Sequence, residues 1–284
     1  MSVHFSCTMC GRCCHDLRLP LAVDEALAWI ARGGDLQLFC DAIAWPQEPP
    51  KSDALAQHRR HRSFAAHSGV LPVRVAVTLV AAFAGPCPHL RADMACGAYD
   101  QRPRVCRIYP AEINPFVPLD PAVKACPSDA WSSTHPLLMR AGQLVDPDTA
   151  ALIAQSREVD RRDRVAKAYL CMLLGYDTAA LANEGFAVYA PRRMRLQAAL
   201  RAAQQASAHV DDPEPRSPHP WRVVTNRSTT LATLRSIGAT ASTANTAAEA
   251  PHAAHAPTYL GFFADDTANG DGREPPDAPG TDHL

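Results

Sequence analysis

The sequence predicts an α+β fold: a small, irregular cysteine-rich metal-binding domain of short strands and helices over residues 1–130, a helical extension over 131–207, and a disordered tail over 208–284. Three observations carry this reading. Four cysteines, Cys7, Cys10, Cys13 and Cys14, stand within eight positions, and Cys87, Cys96, Cys106 and Cys126 follow at wide gaps. Val73, Val75 and Val77 alternate with other residues inside an apolar stretch, as a half-buried strand does. Beyond Asp146-Pro147 the period becomes helical, and beyond residue 208 Ala, Thr, Pro, His and Asp replace the large apolar residues.

The elements follow in chain order. Asp24 caps a short helix whose Ala26, Leu27, Ile30 and Ala31 share a face, and Gly33-Gly34 ends it. A second helix is expected from Asp35 to Trp45, with Leu36, Phe39, Cys40 and Ile43 on one face and Pro46 stopping it. Residues 51–69 read as a polar, basic segment around His58, His61 and Arg62, and 70–83 as one or two strands. A short strand is expected around Cys96, a helix start at Arg102-Pro103, and irregular chain over 111–135. A long helix then carries Leu152, Val159, Ala166, Tyr169 and Leu173 on one face, with i,i+4 ion pairs Glu158–Arg162, Asp160–Arg164 and Asp163–Lys167. A last helix spans 191–207. The tail holds ten acidic and five basic side chains, and buries too little apolar surface to offset its ordering entropy. Within it, Trp221–Val224 and Tyr259–Phe263 are read as isolated apolar pieces of a loose chain.

A net charge of −1 gives no global field toward nucleic acid or acidic lipid, so neither is expected as a partner. The longest apolar run, 75–85, is about half the ~20 residues a membrane span needs. The N-terminus has no basic stretch leading into an apolar one, so a cytoplasmic location is expected. There thiols stay reduced, and clustered cysteines serve as metal ligands or catalysts more than as disulfides.

The cysteine spacing carries the chemistry. Two intervening residues let Cys7, Cys10 and Cys13 bend toward one metal, with Gly11 allowing close backbone approach. Cys14 is the odd member: adjacent side chains diverge, so Cys13 and Cys14 suit two centres, or two sides of a polynuclear one. Eight thiols suffice for two four-thiolate sites, or for one with thiols to spare. Arg102, Arg104 and Arg107 surround Cys106, and Arg102 and Arg107 are expected to donate to the anionic sulfurs.

Phe5-x-Cys7-x-x-Cys10-Gly11-x-Cys13-Cys14, then Cys87-Pro88-x-Leu90, then Cys96-x-x-Tyr99-x-x-Arg102-Pro103-x-x-Cys106-Arg107-x-Tyr109-Pro110, resembles the CxxCxxCC zinc- or iron-chelating domain of the YkgJ-type cysteine cluster proteins, over residues 5–130. Ala98 departs from the isoleucine or valine usual in that family before the tyrosine, which costs packing and not ligation. The resemblance implies an iron–sulfur cluster or zinc, and some relatives are described as flagellin lysine methylases.

Other candidates have plainer readings. Cys40 and Cys171 are core thiols. His58, His61 and His67 are exposed histidines of a basic segment, and His89 is a ligand candidate beside Cys87. Tyr99 and Tyr109 pack over the site. Three functions stand open: an iron–sulfur protein in electron transfer or cluster-supported catalysis with a redox or protein partner, a zinc-binding structural module, and a protein-lysine methylase-like enzyme.

Overall fold

The structure, a computed structural model, describes residues 2–208, 210, 214–243 and 256–266. In chain order its strands and helices are β1 (Ser2–His4), β2 (Arg18–Leu21), α1 (Val23–Ala31), β3 (Gln37–Ala44), α2 (Ala54–Arg62), β4 (Ser63–Ser68), β5 (Leu71–Ala82), α3 (Arg104–Ile108), β6 (Leu137–Arg140), β7 (Gln143–Leu144), α4 (Pro147–Leu174), β8 (Thr178–Leu181), β9 (Gly185–Tyr189), α5 (Arg193–Ser207), β10 (Arg222–Val224), α6 (Ser228–Ser236), β11 (Ala241–Ser242) and β12 (Thr258–Gly261). Among the described residues no helix is long and apolar enough to cross a membrane.

One nine-stranded mixed sheet organises the molecule, with main order β11-β10-β8-β3-β5-β2. Strand β3 is its centre: it runs antiparallel to β5 from Gln37↔Val80 to Ala44↔Val73, and its other edge takes β8 in parallel and β9 antiparallel. β4 pairs with the first half of β5, and β12 closes on β9. A separate three-stranded sheet, β1-β6-β7, fixes the N-terminus beside residues 137–144.

The stretch expected as a second helix is therefore β3. Its Leu38, Cys40 and Ala42 enter the large core, while Phe39 packs on the other face with Val80 and Val188. A strand buried on both faces reads as a continuous apolar run, which a helical period fits equally well. The polar segment 51–69 is ordered as α2, capped by Asp53 accepting from the Ala56 amide at 2.9 Å, followed by β4. Helix α4 starts as its sequence indicates, with Asp146 accepting from the Thr149 amide at 2.8 Å and Pro147 in the first turn, and ends at Gly175 in the left-handed region. Its acidic side chains divide: Glu158 pairs on the surface with Arg161, Asp160 faces Arg62 and Lys167, and Asp163 accepts from the Val23 amide.

Chain beyond residue 130 also builds the sheet. β8 and β9 interrupt the expected helical extension, and β10, β11 and β12 come from the expected disordered tail. Trp221 is 1% exposed, its ring packs on Phe64, and its indole donates to Ser217 at 2.9 Å. Tyr259 pairs with Ala187 and donates to the Glu184 carbonyl. Both pieces read as loose are thus held by strand pairing. Of the expected disordered tail, residues 209, 211–213, 244–255 and 267–284 lie outside the described residues.

Leu170, Leu174, Leu196 and Leu200 of α4 and α5 are fully buried against the sheet, together with Cys40 and Cys171. This core is continuous without any of the eight clustered cysteines as a buried member; Cys87 and Cys106 only touch its edge.

Candidate metal centre

All eight clustered cysteines line one cavity of about 470 Å³. Irregular chain from 5–15, 87–99 and 109–126, together with α3, supplies the thiol side, while α1, β2, β5, α2 and α4 supply the rest. Cys7 is exposed and the other seven are half-buried. Among the described residues no three His, Cys, Asp or Glu side chains close into a coordination sphere; the thiols border an open space.

Local backbone chemistry sets this shape. Gly11 has φ +70°, and a Cβ there would meet the Met94 carbonyl oxygen at 2.8 Å, so this turn needs glycine on both counts. The Cys14 amide then closes the turn onto the Gly11 carbonyl at 2.9 Å. The Cys87 amide donates to the Cys14 carbonyl at 2.7 Å, which docks the second cysteine segment on the first. Leu90 bridges to Cys96, and Gly97 donates to the His89 carbonyl. The short strand expected around Cys96 is this single bridge. Cys106 sits in α3, whose start is pinned to α1: the Arg104 amide donates to Glu25, and its guanidinium pairs with Asp24 at 2.9 Å. On the opposite side the Ser6 amide donates to the Ala130 carbonyl, and Phe5 packs on Trp131 at 5.0 Å, holding the chain after Cys126 against the N-terminal loop.

The thiols act on one another. Cys13 Sγ and Cys14 Sγ lie 4.0 Å apart and share a hydrogen bond. That bond, with the charges of His15 and Arg102 working against burial, pulls Cys14 down to about 6; the same bond, burial and the neighbouring sulfurs push Cys13 far up. Burial first, then the charges of Cys14, Cys87 and Cys96 against Arg102, pushes Cys106 up to about 12. Burial also raises Cys87 and Cys126. Thiols that raise each other's pKa are relieved by a cation placed among them, because each thiolate then gains an opposite charge. The donor set, soft thiolates with a thiolate already favoured at Cys14, fits zinc or iron and not a hard, oxygen-seeking ion.

The two arginines expected at the sulfurs divide. Arg102 lines the cavity, stacks over Tyr99 with its guanidinium carbon 3.7 Å from the ring centroid, and stabilises thiolate at Cys14 and Cys106. Arg107 points away: it is exposed and lines no part of the cavity, because the short helix α3 turns Cys106 inward and its neighbour outward. His89 lines the cavity edge-on to Trp29, with burial holding its pKa down. Tyr109 accepts from the Ala125 amide at 3.1 Å and faces Cys126, so it contacts the thiol segment as well as covering it.

Sequence reasoning missed the far wall. His15, Arg18, Arg62, Asp160 and Lys167 also line the cavity. Lys167 is buried, with Nζ 3.5 Å from Asp160 Oδ1, and Arg62 Nε stands 3.7 Å from Asp160 Oδ2. His58, read as exposed, is half-buried at this wall; burial, then Arg62 and Arg157, pulls it down to about 4. Only His15 had a cue, its place beside Cys14.

Residues 6–127 match the family model CxxCxxCC, described as "Putative zinc- or iron-chelating domain". This segment is similar to a CxxCxxCC domain. No curated protein and no solved structure matches the chain. The matched segment contains every cysteine of the cavity, and the description of the family it resembles supports metal binding by zinc or iron. The cavity is wider than the domain: Ser156, Asp160 and Lys167 belong to α4, beyond its end.

Proposed function

We propose that the CxxCxxCC domain holds iron–sulfur chemistry on its cysteines and serves electron transfer or cluster-supported catalysis, in the cytoplasm and with a redox or protein partner. The observation that carries this is the placement of all eight thiols around one open cavity, outside a hydrophobic core that is already continuous. A structural zinc site supplies folding energy where a core is thin. Here the sheet, α4 and α5 bury large apolar residues without any cluster thiol, so a metal is free to do something else.

When bound, iron–sulfur supplies reversible one-electron chemistry. The chain's own residues prepare for it. Arg102 places positive charge beside Cys14, offsetting the negative charge that thiolates bring. Trp29, Leu17 and Val105 give the cavity an apolar part of its lining. Asp160, Lys167 and Arg62 give the opposite wall charged groups that can hold a polar reactant. That wall, absent from a merely structural knuckle, favours a reacting site.

The test is iron, zinc and acid-labile sulfide analysis on protein purified without oxygen, with its visible spectrum. Iron matched by sulfide, with a broad band near ~400 nm from thiolate-ligated iron, is the expected result. Zinc without sulfide overturns the redox reading and leaves the chain a zinc protein.

A further inference from the structure

We propose that the mouth of the thiol cavity is a docking face for an acidic protein segment that carries an apolar side chain. This rests on the reading of the cavity as a site served by a redox or protein partner, and deepens it by giving that partner's chemistry.

The mouth is apolar where it meets solvent. Met9, Met94, Tyr99 and Val123 all line the cavity, and all are exposed. Met9 is 49% and Val123 57% exposed, which puts them at the opening and not in its depth. They come from the same three stretches of chain that carry the thiols, so they surround one opening. Exposed apolar residues scattered singly are ordinary, but a group around one concavity marks a contact site. The backbone supports the same reading. Met9 has φ +52° and Met94 φ +66°, a region that residues other than glycine, asparagine and aspartate seldom enter. Neither methionine is buried in return. A Cβ at Gly11 would meet Met94 Cε at 2.9 Å, so the Met94 side chain lies over the turn that follows Met9. Methionine is unbranched and polarisable, and adapts to whatever apolar group is set against it.

Charge gives the partner its sign. Every carboxylate of the lining is already committed: Glu25 pairs with Arg104, Glu112 with Lys124, and Asp160 faces Arg62 and Lys167. Arg12 and Arg18 line the same cavity and are exposed, and among the described residues no carboxylate pairs with either. Arg18 rests over the Phe39 ring, which leaves its charge available. Unpaired cations beside an apolar opening complement an acidic segment with an apolar anchor.

Shape separates a protein from other anions. A bilayer is flat and takes up the apolar face of a helix lying in its plane, whereas these side chains stand on turns and irregular chain around a concavity. A nucleic acid needs rings on which bases stack; Tyr99 is the exposed ring here, and the Arg102 guanidinium already covers it at 3.7 Å.

The experiment measures binding of fluorescent, blocked peptides to the full-length chain by anisotropy: one of glutamates flanking a single leucine, and one with lysines in place of the glutamates. The acidic peptide is expected to bind, more weakly as salt rises, and the basic one not to bind. Two double variants, Arg12→Glu/Arg18→Glu and Met94→Ser/Val123→Ser, are each expected to weaken that binding about tenfold, with circular dichroism as the folding check. No binding of the acidic peptide, equal binding of the basic one, or binding that either folded variant leaves unchanged overturns the proposal. So does binding of the chain to phosphatidylglycerol vesicles without binding of the peptide. Where a variant fails to fold, a photoreactive benzophenone in place of the leucine locates the peptide on the unaltered chain. Adducts at the rim support the proposal, and adducts confined elsewhere overturn it. Iron and acid-labile sulfide are measured on the same preparation. A chain that holds both and ignores the acidic peptide loses this docking face alone, and a chain that holds neither and binds the peptide loses the redox reading alone.

Discussion

Gly11→Ala perturbs the turn on which the cysteine loop depends. The left-handed φ of +70° costs an L-residue about 1–2 kcal/mol. The added methyl also meets the Met94 carbonyl at 2.8 Å, Met94 Cε at 2.9 Å and Leu90 Cδ1 at 3.0 Å. The side-chain atoms can yield, but the carbonyl belongs to the segment between Cys87 and Cys96, so that segment must shift at an overpacking cost of about 1–3 kcal/mol. Together these come to about 2–5 kcal/mol, set against the loop geometry and not the remote core. At 1.4 kcal/mol per tenfold, metal affinity should fall by roughly 30-fold to several thousandfold. The assay is competition with a chromophoric chelator, beside a urea unfolding curve of the metal-free protein. A variant that binds metal within threefold of the parent would show that the turn does not position the thiols.

Four further outcomes follow from the structure. Leu170→Ala should lower stability by about 2–5 kcal/mol in denaturant titration, with metal per folded chain unchanged, because Leu170 is fully buried in the core and not at the cavity. Cys40→Ala should leave metal content intact by elemental analysis, since Cys40 faces α4 from β3 and lines no part of the cavity. A chain ending at residue 207 should lose its cooperative thermal transition or melt many degrees lower, since it lacks Trp221 and β10; an unchanged melt would mean the tail is dispensable. His58 is held down to about 4, chiefly by burial, so the unfolded chain takes up its proton first as pH falls from 6.5. The parent should therefore lose stability relative to His58→Gln between about pH 6.5 and 4 and not above it, read as urea midpoints; parallel pH profiles would contradict this.

What the sequence discloses depends on how local the cause is. The thiol cluster is legible because ligand spacing within Cys7–Cys14 is itself the chemistry, and α4 is legible because its start at Asp146-Pro147 and its helical period are both local. β3 is not, since its edges are filled by β5, β8 and β9 and its core face is covered by α4 and α5, none of which adjoins it in sequence. Trp221 looks like an isolated aromatic until Phe64, more than 150 residues earlier, is placed against it. The wall made by Arg62, Asp160 and Lys167 has the same origin: Asp160 reads as one half of a surface pair until α2 packs on α4. Arg107 misleads in the opposite sense, because proximity in sequence to Cys106 says nothing of which way a one-turn helix faces.

The strand order also has a consequence for how the protein is born. β10 and β12, near the end of the chain, pair with β8 and β9, and β8 and β9 flank β3, so the sheet interleaves early and late sequence. Cys7 to Cys14 are made before Cys126 and the α4 wall, which follow on the order of ten seconds later at usual synthesis rates. During that interval four reduced thiols travel without their partners or their shelter. The cavity is therefore complete in its residues only once α4 has been made, while the sheet that carries it waits for β10 and β12.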